Sequence, residues 1–244
     1  MLQQLHYMKG GYIMLQSGNE ILIESVELNL LVTEGLVDKA KNVMAAVIKK
    51  IKEIVSKIKD FIMSKLKKDL KQLKYEASLI SKDRDEYSCV VPNKASLDKF
   101  DKVYLDTYHL AESILDKSDF DDSDEEKTVK LSKEADKVKQ LPLTVKETIK
   151  GNEYANIMTG MLNLLEKKHS YLWSLADTFN SVANKIEKSG DRDRSTEMKR
   201  CRLMGDLSGK LINYVVAMHK AYKMSLRSLL RAQGVKGVKE PEND

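Results

Sequence analysis

The sequence predicts an all-α protein in which a long, basic, amphipathic N-terminal helix is followed by an antiparallel helical bundle. Three observations lead to this prediction. The 244-residue chain contains only 11 Gly and 3 Pro, so few of its residues end helices or build tight turns. Lys, Leu, Glu, Met and Ala, which all favour helices, are frequent. Apolar residues also recur every three or four positions over long stretches, as they do in helices that bury one face.

The codons for the segment from Lys9 to Met14 can contain a bacterial ribosome-binding sequence. Lys-Gly-Gly can be encoded as AAA-GGA-GGN, a purine-rich stretch that lies just upstream of the codon for Met14. On this interpretation translation starts at Met14 and residues 1–13 are a translated leader, which takes no part in the fold. The gene would then be bacterial or belong to a bacterial virus. The alternative is a chance Lys-Gly-Gly before a Met.

A short helix rich in apolar and acidic residues is predicted between Asn19 and Val32. It ends at a break formed by residues 33–35, which include Gly35. The side-chain oxygen of Thr33 is placed to cap the helix that follows.

The longest uninterrupted pattern runs from Leu36 to about Ile80 and contains neither Gly nor Pro. Its apolar stripe keeps a heptad phase up to Phe61 and continues from Ile62 after a stutter. A helix of about 45 residues would be roughly 70 Å long, which exceeds a compact domain. The stripe must therefore be covered by another part of the chain or by a partner.

The same helix is strongly basic. From Asp38 to Lys74 there are 12 lysines against four acidic residues, so this segment carries +8 in a chain whose net charge is +5. Three interpretations fit: a structural helix with solvated lysines, a membrane-surface helix, or a helix that neutralises nucleic-acid phosphates without reading sequence. The residues predicted to form the interaction surface are Lys49, Lys50, Lys52, Ile54, Lys57, Ile58, Lys59, Phe61 and Lys65.

The helical period fails between Lys82 and Lys94, where Val91-Pro92-Asn93 predicts a turn. We therefore place a domain boundary between residues 90 and 91. Residues 14–90 hold the short acidic helix and the long basic helix, and residues 91–233 form the bundle. The bundle helices are predicted at 95–115, 123–141, 144–189 with an interruption at Gly151, and 195–232. The tail, residues 234–244, is predicted to be disordered.

The sequence carries no signature of catalysis. Walker, G-x-G-x-x-G and G-x-S-x-G motifs are absent, and the acidic stretch 116–126 misses the EF-hand pattern. Cys89 and Cys201 form no C-x-x-C pair, so we expect reduced thiols and a cytoplasmic origin. We predict a non-enzymatic protein with no cofactor and no metal site. The histidines have no neighbouring ligand at metal spacing; they are His6, His109, His169 and His219.

The order of segments resembles that of small proteins encoded among the virion genes of tailed bacteriophages. An opening such as Glu20-Ile-Leu-Ile-Glu-Ser-Val-Glu27 is followed by a Lys/Ile amphipathic helix, a polar middle and a helical bundle. The resemblance is one of layout over most of the chain. It implies a component of the phage particle, such as an internal head protein, or a factor in its assembly. Such a protein is made in the bacterial cytoplasm.

The resemblance also implies partners, which are other virion proteins or further copies of the same chain. The basic helix leaves an anionic membrane surface and nucleic acid open as further partners. The alternative function is that of a membrane-associated or membrane-active protein that acts through the Lys/Ile helix.

Overall fold

A computed structural model describes residues 41–116, 122–138, 140–188 and 191–235. It confirms the all-α class, since these residues are mostly helical and add only a small two-stranded sheet. The predicted leader, the start at Met14 and the short acidic helix lie outside the described residues. Most of the predicted tail lies outside them too, but Val235 is described and packs against the core.

The helices and strands follow one another in a simple order. They are α1 (Lys41–Phe61), a π-helical turn (Ile62–Leu66), α2 (Lys67–Ser78), β1 (Glu86–Pro92), α3 (Lys94–Asp116), α4 (Asp122–Val138), β2 (Thr144–Lys150), α5 (Gly151–Lys188) and α6 (Asp191–Ala232). Since α1, the π-helical turn and α2 follow without a break, they form one helix over residues 41–78, called the basic helix below.

The π-helical turn explains how the apolar stripe changes phase. Phe61 and Ile62 are neighbours in sequence, yet both side chains are buried, with exposed fractions of 3% and 1%. A π-helical turn contains one residue more than an α-helical turn, so it moves the stripe forward by one position. The stutter that the sequence shows between these two residues coincides with the start of this turn.

One hydrophobic core runs through the fold. The basic helix packs mainly against α5, α5 packs against α6, and α3 packs against α4 and α6. The core cluster includes residues from Val47 to Leu230. The predicted domain boundary between residues 90 and 91 falls inside β1, and side chains from both sides of it belong to this cluster.

The sheet corrects two sequence predictions. We expected a turn at residues 91–93, of which Val91 and Pro92 belong to β1, and a helix starting at Thr144, where β2 lies. The two strands pair antiparallel, with Glu86 opposite Lys150. Strand β1 is covered by α6, and its Val90 N–H donates a hydrogen bond to Ser228 Oγ at 2.9 Å. The Thr-x-x-Glu pattern of β2 resembles the capping box of a helix. Its Thr and Val residues also favour strands, and pairing with β1 decides the conformation in favour of the strand.

Helix α5 begins at Gly151, directly after β2. A Cβ atom added there would lie 2.4 Å from the carbonyl oxygen of Ser81 and 2.7 Å from Oδ1 of Asp83, so only glycine fits. The N–H of Asn152 donates to the carbonyl oxygen of Asp83 at 3.0 Å. The Gln233 side chain donates to, and accepts from, the Ser81 backbone at 3.0 Å each. The loop after the basic helix is therefore fixed to α5 and to the end of α6.

Candidate functional site

The apolar members of the predicted interaction surface are core residues. Ile54, Ile58 and Phe61 have exposed fractions of 0%, 1% and 3%. Their stripe faces α5 and α6, which are the partners that an amphipathic helix of this length requires. In this structure they contact the core of their own chain and form no part of its outer surface.

The lysines of that surface remain at least partly in water. The side chain of Lys49 is 80% exposed, and its Nζ lies 3.9 Å from the Glu53 carboxylate, which Lys50 approaches to 3.2 Å. Lys57 and Lys65 are half-buried. Exposed pairs of this kind contribute little to stability, because water already solvates both charges.

Between the described side chains of the two helices, three ion pairs connect the basic helix to α5. They are Lys52 with Glu187 at 2.9 Å, Lys59 with Asp177, and Lys74 with Glu166 at 2.9 Å. Residue numbers rise along the basic helix as they fall along α5, so the two helices run antiparallel. The pairs fix which residues of the two helices face each other.

An open groove of about 830 Å³ lies between the last two of these pairs, and we call it the basic groove. Its walls are α2 and the middle of α5, and Ile62 of the π-helical turn contributes to its apolar lining. The polar and aromatic side chains between the two ion pairs are Lys67, Lys71, His169, Ser170, Trp173 and Ser174.

Trp173 is the only tryptophan of the chain and is half-buried in this groove. Two ammonium groups lie near its ring: the Nζ atoms of Lys59 and Lys67 are 5.1 and 5.8 Å from the ring centroid. At such distances the ring attracts a cation electrostatically. Lys67 and Lys71 are both exposed and form no ion pair with any described residue. The middle of the groove is therefore positively charged.

A buried hydrogen-bond network contributes His169 to the lining of the groove. His169, 4% exposed, lines the groove and places its Nε2 2.8 Å from Nε2 of His219. The two rings are inclined by only 3° with centroids 5.0 Å apart, so they meet edge to edge in nearly one plane. Nδ1 of His219 lies 2.9 Å from Oδ2 of Asp69, and Lys223 Nζ donates to the other carboxylate oxygen at 2.6 Å.

The pKa values of Asp69 and His169 indicate which of these two groups is charged at pH 7. Burial alone would raise the pKa of Asp69, but the hydrogen bond from His219 and the charge of Lys223 lower it to about 2. The carboxylate therefore accepts a hydrogen bond from Nδ1–H of His219, and the two Nε2 atoms share one hydrogen between His219 and His169. Burial, together with the nearby His219 and Lys67, lowers the pKa of His169 to about 3. His169 is consequently neutral at pH 7.

Sequence reasoning missed this pair because the two histidines are 50 residues apart and only the packing of α5 against α6 brings them together. One signal was available. Each histidine lies on the apolar stripe of its helix, near Leu172 on α5 and near Val215 on α6. A polar side chain within such a stripe must find a buried hydrogen-bond partner.

Two further ion pairs among the described residues have a buried member and connect neighbouring helices. Glu76, fully buried, accepts hydrogen bonds from Arg227 Nε at 2.9 Å and Nη2 at 2.5 Å. Lys168, 1% exposed, pairs with Asp101 and places its Nζ 4.1 Å from the centroid of the Tyr104 ring. Burial lowers the pKa of Lys168, and the contact with Asp101 opposes that shift. Removing one partner of either pair would leave a buried charge without compensation.

Within the described ranges, no group of three or more His, Cys, Asp or Glu side chains is arranged to hold a metal ion. None of the described helices is both long and apolar enough to cross a membrane. The described part of the chain thus defines a helical protein with a buried polar network and a basic groove. Comparison with known proteins finds no significant match to a family model, a curated protein or a solved structure.

Proposed function

We propose that this protein is a non-enzymatic component of a tailed-bacteriophage virion or of its assembly, and that its basic helix contacts a partner through its lysines. One contrast supports the mode of contact. Ile54 of the stripe has an exposed fraction of 0%, whereas the Lys49 side chain is 80% exposed. The apolar face is already occupied by α5 and α6, so the charged face is the one left for a partner.

The partner is an acidic surface, in the first place that of another virion protein. The assignment to a phage particle rests on the resemblance in the order of segments. An interface that relies on exposed lysines gains mainly in association rate and orientation, and it weakens as salt increases. Nucleic acid offers the same charge, and direct binding of a DNA duplex to the chain would favour it over a protein partner.

The alternative is a membrane-associated protein that acts through the same helix. Insertion into lipid would require Ile54, Ile58 and Phe61 to leave the core, where all three are almost fully buried. Flotation with vesicles of anionic lipid tests this alternative. If the variant Ile58→Asp no longer binds the vesicles while α5 and α6 remain helical, the membrane protein is favoured over the virion component.

Peptide mass spectrometry on density-purified phage particles from the source culture tests the proposal. We expect the chain at stoichiometric levels. The double variant Lys49→Glu and Lys52→Glu should lower its incorporation, while the matched variant Lys146→Glu and Lys150→Glu, with the same charge change on β2, should not. Absence from particles despite abundance in the cell would refute the virion assignment.

A further inference from the structure

We propose that the basic groove binds a compact phosphate-bearing ligand, with its phosphate between Lys67 and Lys71 and the remainder of the ligand against Trp173. The inference does not depend on the proposed function, because it concerns an open groove formed by the chain's own helices.

The lysines supply the first argument. Lys67 and Lys71 are four residues apart on α2, so their side chains lie on one face of the helix, one turn apart. Both are exposed, both line the groove, and neither forms an ion pair with a described residue. Two uncompensated ammonium groups at this spacing attract a phosphate, whose oxygens accept charge-assisted hydrogen bonds from both.

The ends of the groove limit the size of the ligand. Glu166 and Asp177 stand at its two ends, each paired with a lysine of the basic helix. Along α5 they are roughly 16 Å apart at 1.5 Å per residue. A phosphate chain that continued beyond either end would meet a carboxylate, whereas a single phosphate in the middle meets only Lys67 and Lys71. A volume of about 830 Å³ suits a ligand the size of a nucleotide.

The wall formed by α5 offers further contacts. The hydroxyl of Ser170 donates to the carbonyl oxygen of Glu166 at 3.3 Å, a long hydrogen bond that it can exchange for a ligand oxygen. The half-buried indole of Trp173 offers an apolar surface to a planar group such as a nucleobase. A ligand with both a phosphate and an aromatic ring would use both parts of the groove.

Two local features set this groove apart from an ordinary gap between helices. His169 places a buried, hydrogen-bonded imidazole in the wall that α5 forms. The π-helical turn contributes Ile62 at the junction of α1 and α2. Such turns are frequent at functional sites, because they alter the direction of the side chains that follow.

Trp173 is the only tryptophan, so its fluorescence reports on the groove in the full chain. We would titrate the protein with AMP, ribose 5-phosphate, inorganic phosphate and a thymidine oligonucleotide at constant ionic strength. Free N-acetyltryptophanamide corrects for absorbance, and calorimetry provides a second measurement. We expect a saturable change with AMP, which Lys67→Glu, Lys71→Glu and Lys71→Gln weaken by about tenfold or more. Lys146→Glu on β2 is the matched control and should bind as the unmodified chain does.

The other outcomes test the phosphate site, the contact with Trp173 and the size of the ligand separately. Equal affinity for AMP and ribose 5-phosphate would support the phosphate site and overturn the contact with Trp173. Tighter binding of the oligonucleotide than of AMP would overturn the compact ligand in favour of nucleic acid. The proposal as a whole is overturned if no phosphate compound binds saturably by either method, or if the variants at Lys71 bind AMP normally. None of these results depends on whether the chain is found in phage particles.

Discussion

His169 and His219 meet through their Nε2 atoms at 2.8 Å, although each lies on a different long helix. Because His219 also contacts Asp69 on the basic helix, one series of hydrogen bonds ties three helices together. Each imidazole uses one nitrogen as donor or acceptor for the other, so the pair fixes how α5 and α6 are placed relative to each other.

Replacing His219 by Ala should destabilise the fold by about 1–3 kcal/mol, since it leaves Nε2 of His169 and one oxygen of Asp69 without a partner. Urea denaturation measures the effect. His109→Ala is the matched control: the His109 side chain is 68% exposed on α3, and its loss should change the stability by less than about 0.5 kcal/mol. Equal effects of the two variants would mean that the buried pair contributes nothing.

Stability should fall as the pH decreases from 6.5 towards 3. In the unfolded chain His169 takes up a proton near its ordinary pKa of 6.5, whereas in the folded chain burial, His219 and Lys67 lower that pKa to about 3. Between these values the unfolded state binds more protons, so acid favours unfolding by at most about 1.4 kcal/mol per pH unit. Asp69, whose pKa is lowered from 3.8 to about 2, adds a further loss below pH 4.

Urea midpoints measured at pH 7, 5.5 and 4.5 test this dependence. The variant His169→Gln has no titratable group at position 169 and should show a flatter profile, even if it is less stable at pH 7. An unchanged slope in this variant would show that other groups cause the acid sensitivity.

Two glycines of α5 should respond to Ala in opposite directions. At Gly151 the new Cβ would meet the Ser81 carbonyl oxygen at 2.4 Å, so the variant should lose about 1–3 kcal/mol. At Gly160 nothing lies within 4 Å, and Ala should stabilise the helix by about 0.5–1 kcal/mol. Thermal or urea unfolding of the two variants provides the comparison. A neutral Gly151→Ala would mean that the loop at Ser81 moves away without loss.

The helices were predictable from the sequence because their signals are local. A short window of the sequence around Ile54 and Ile58 is enough to show the apolar stripe, and a window around Ile62 shows its stutter. The sheet was missed because β1 and β2 are stable only as a pair, and their partners, such as Glu86 and Lys150, are 64 positions apart. Short strands of mixed composition carry no period that identifies them alone.

The candidate site was predictable only in part. The charge pattern located the lysines of the basic helix, but the predicted interaction surface ended at Lys65, before Lys67 and Lys71. The groove depends on which residues of α5 face α2, and the ion pair of Lys74 with Glu166 joins residues 92 positions apart. Packing of one helix against another sets this register, and no local pattern in either helix records it.

The π-helical turn should tolerate a deletion that the rest of the basic helix does not. Met63 lies in this turn with 48% of its surface exposed. Removing it would leave α-helical spacing between the buried residues on either side, because the turn holds one residue more than an α-helical turn. The chain lacking Met63 should therefore stay folded, with cooperative urea unfolding. Removing the exposed Ser56 from α1 instead rotates one part of the stripe by about 100° against the core, which should abolish folding.

Circular dichroism and urea unfolding of the two deletion variants distinguish these outcomes. Similar damage from both would mean that the π-helical turn is held by its own contacts rather than by the extra residue. If only the deletion at Met63 is tolerated, its effect on Trp173 fluorescence in the presence of AMP becomes informative. Leu66 and Leu70 would keep their places in the core, so Lys67 and Lys71 should still line the groove and the response of Trp173 to AMP should persist.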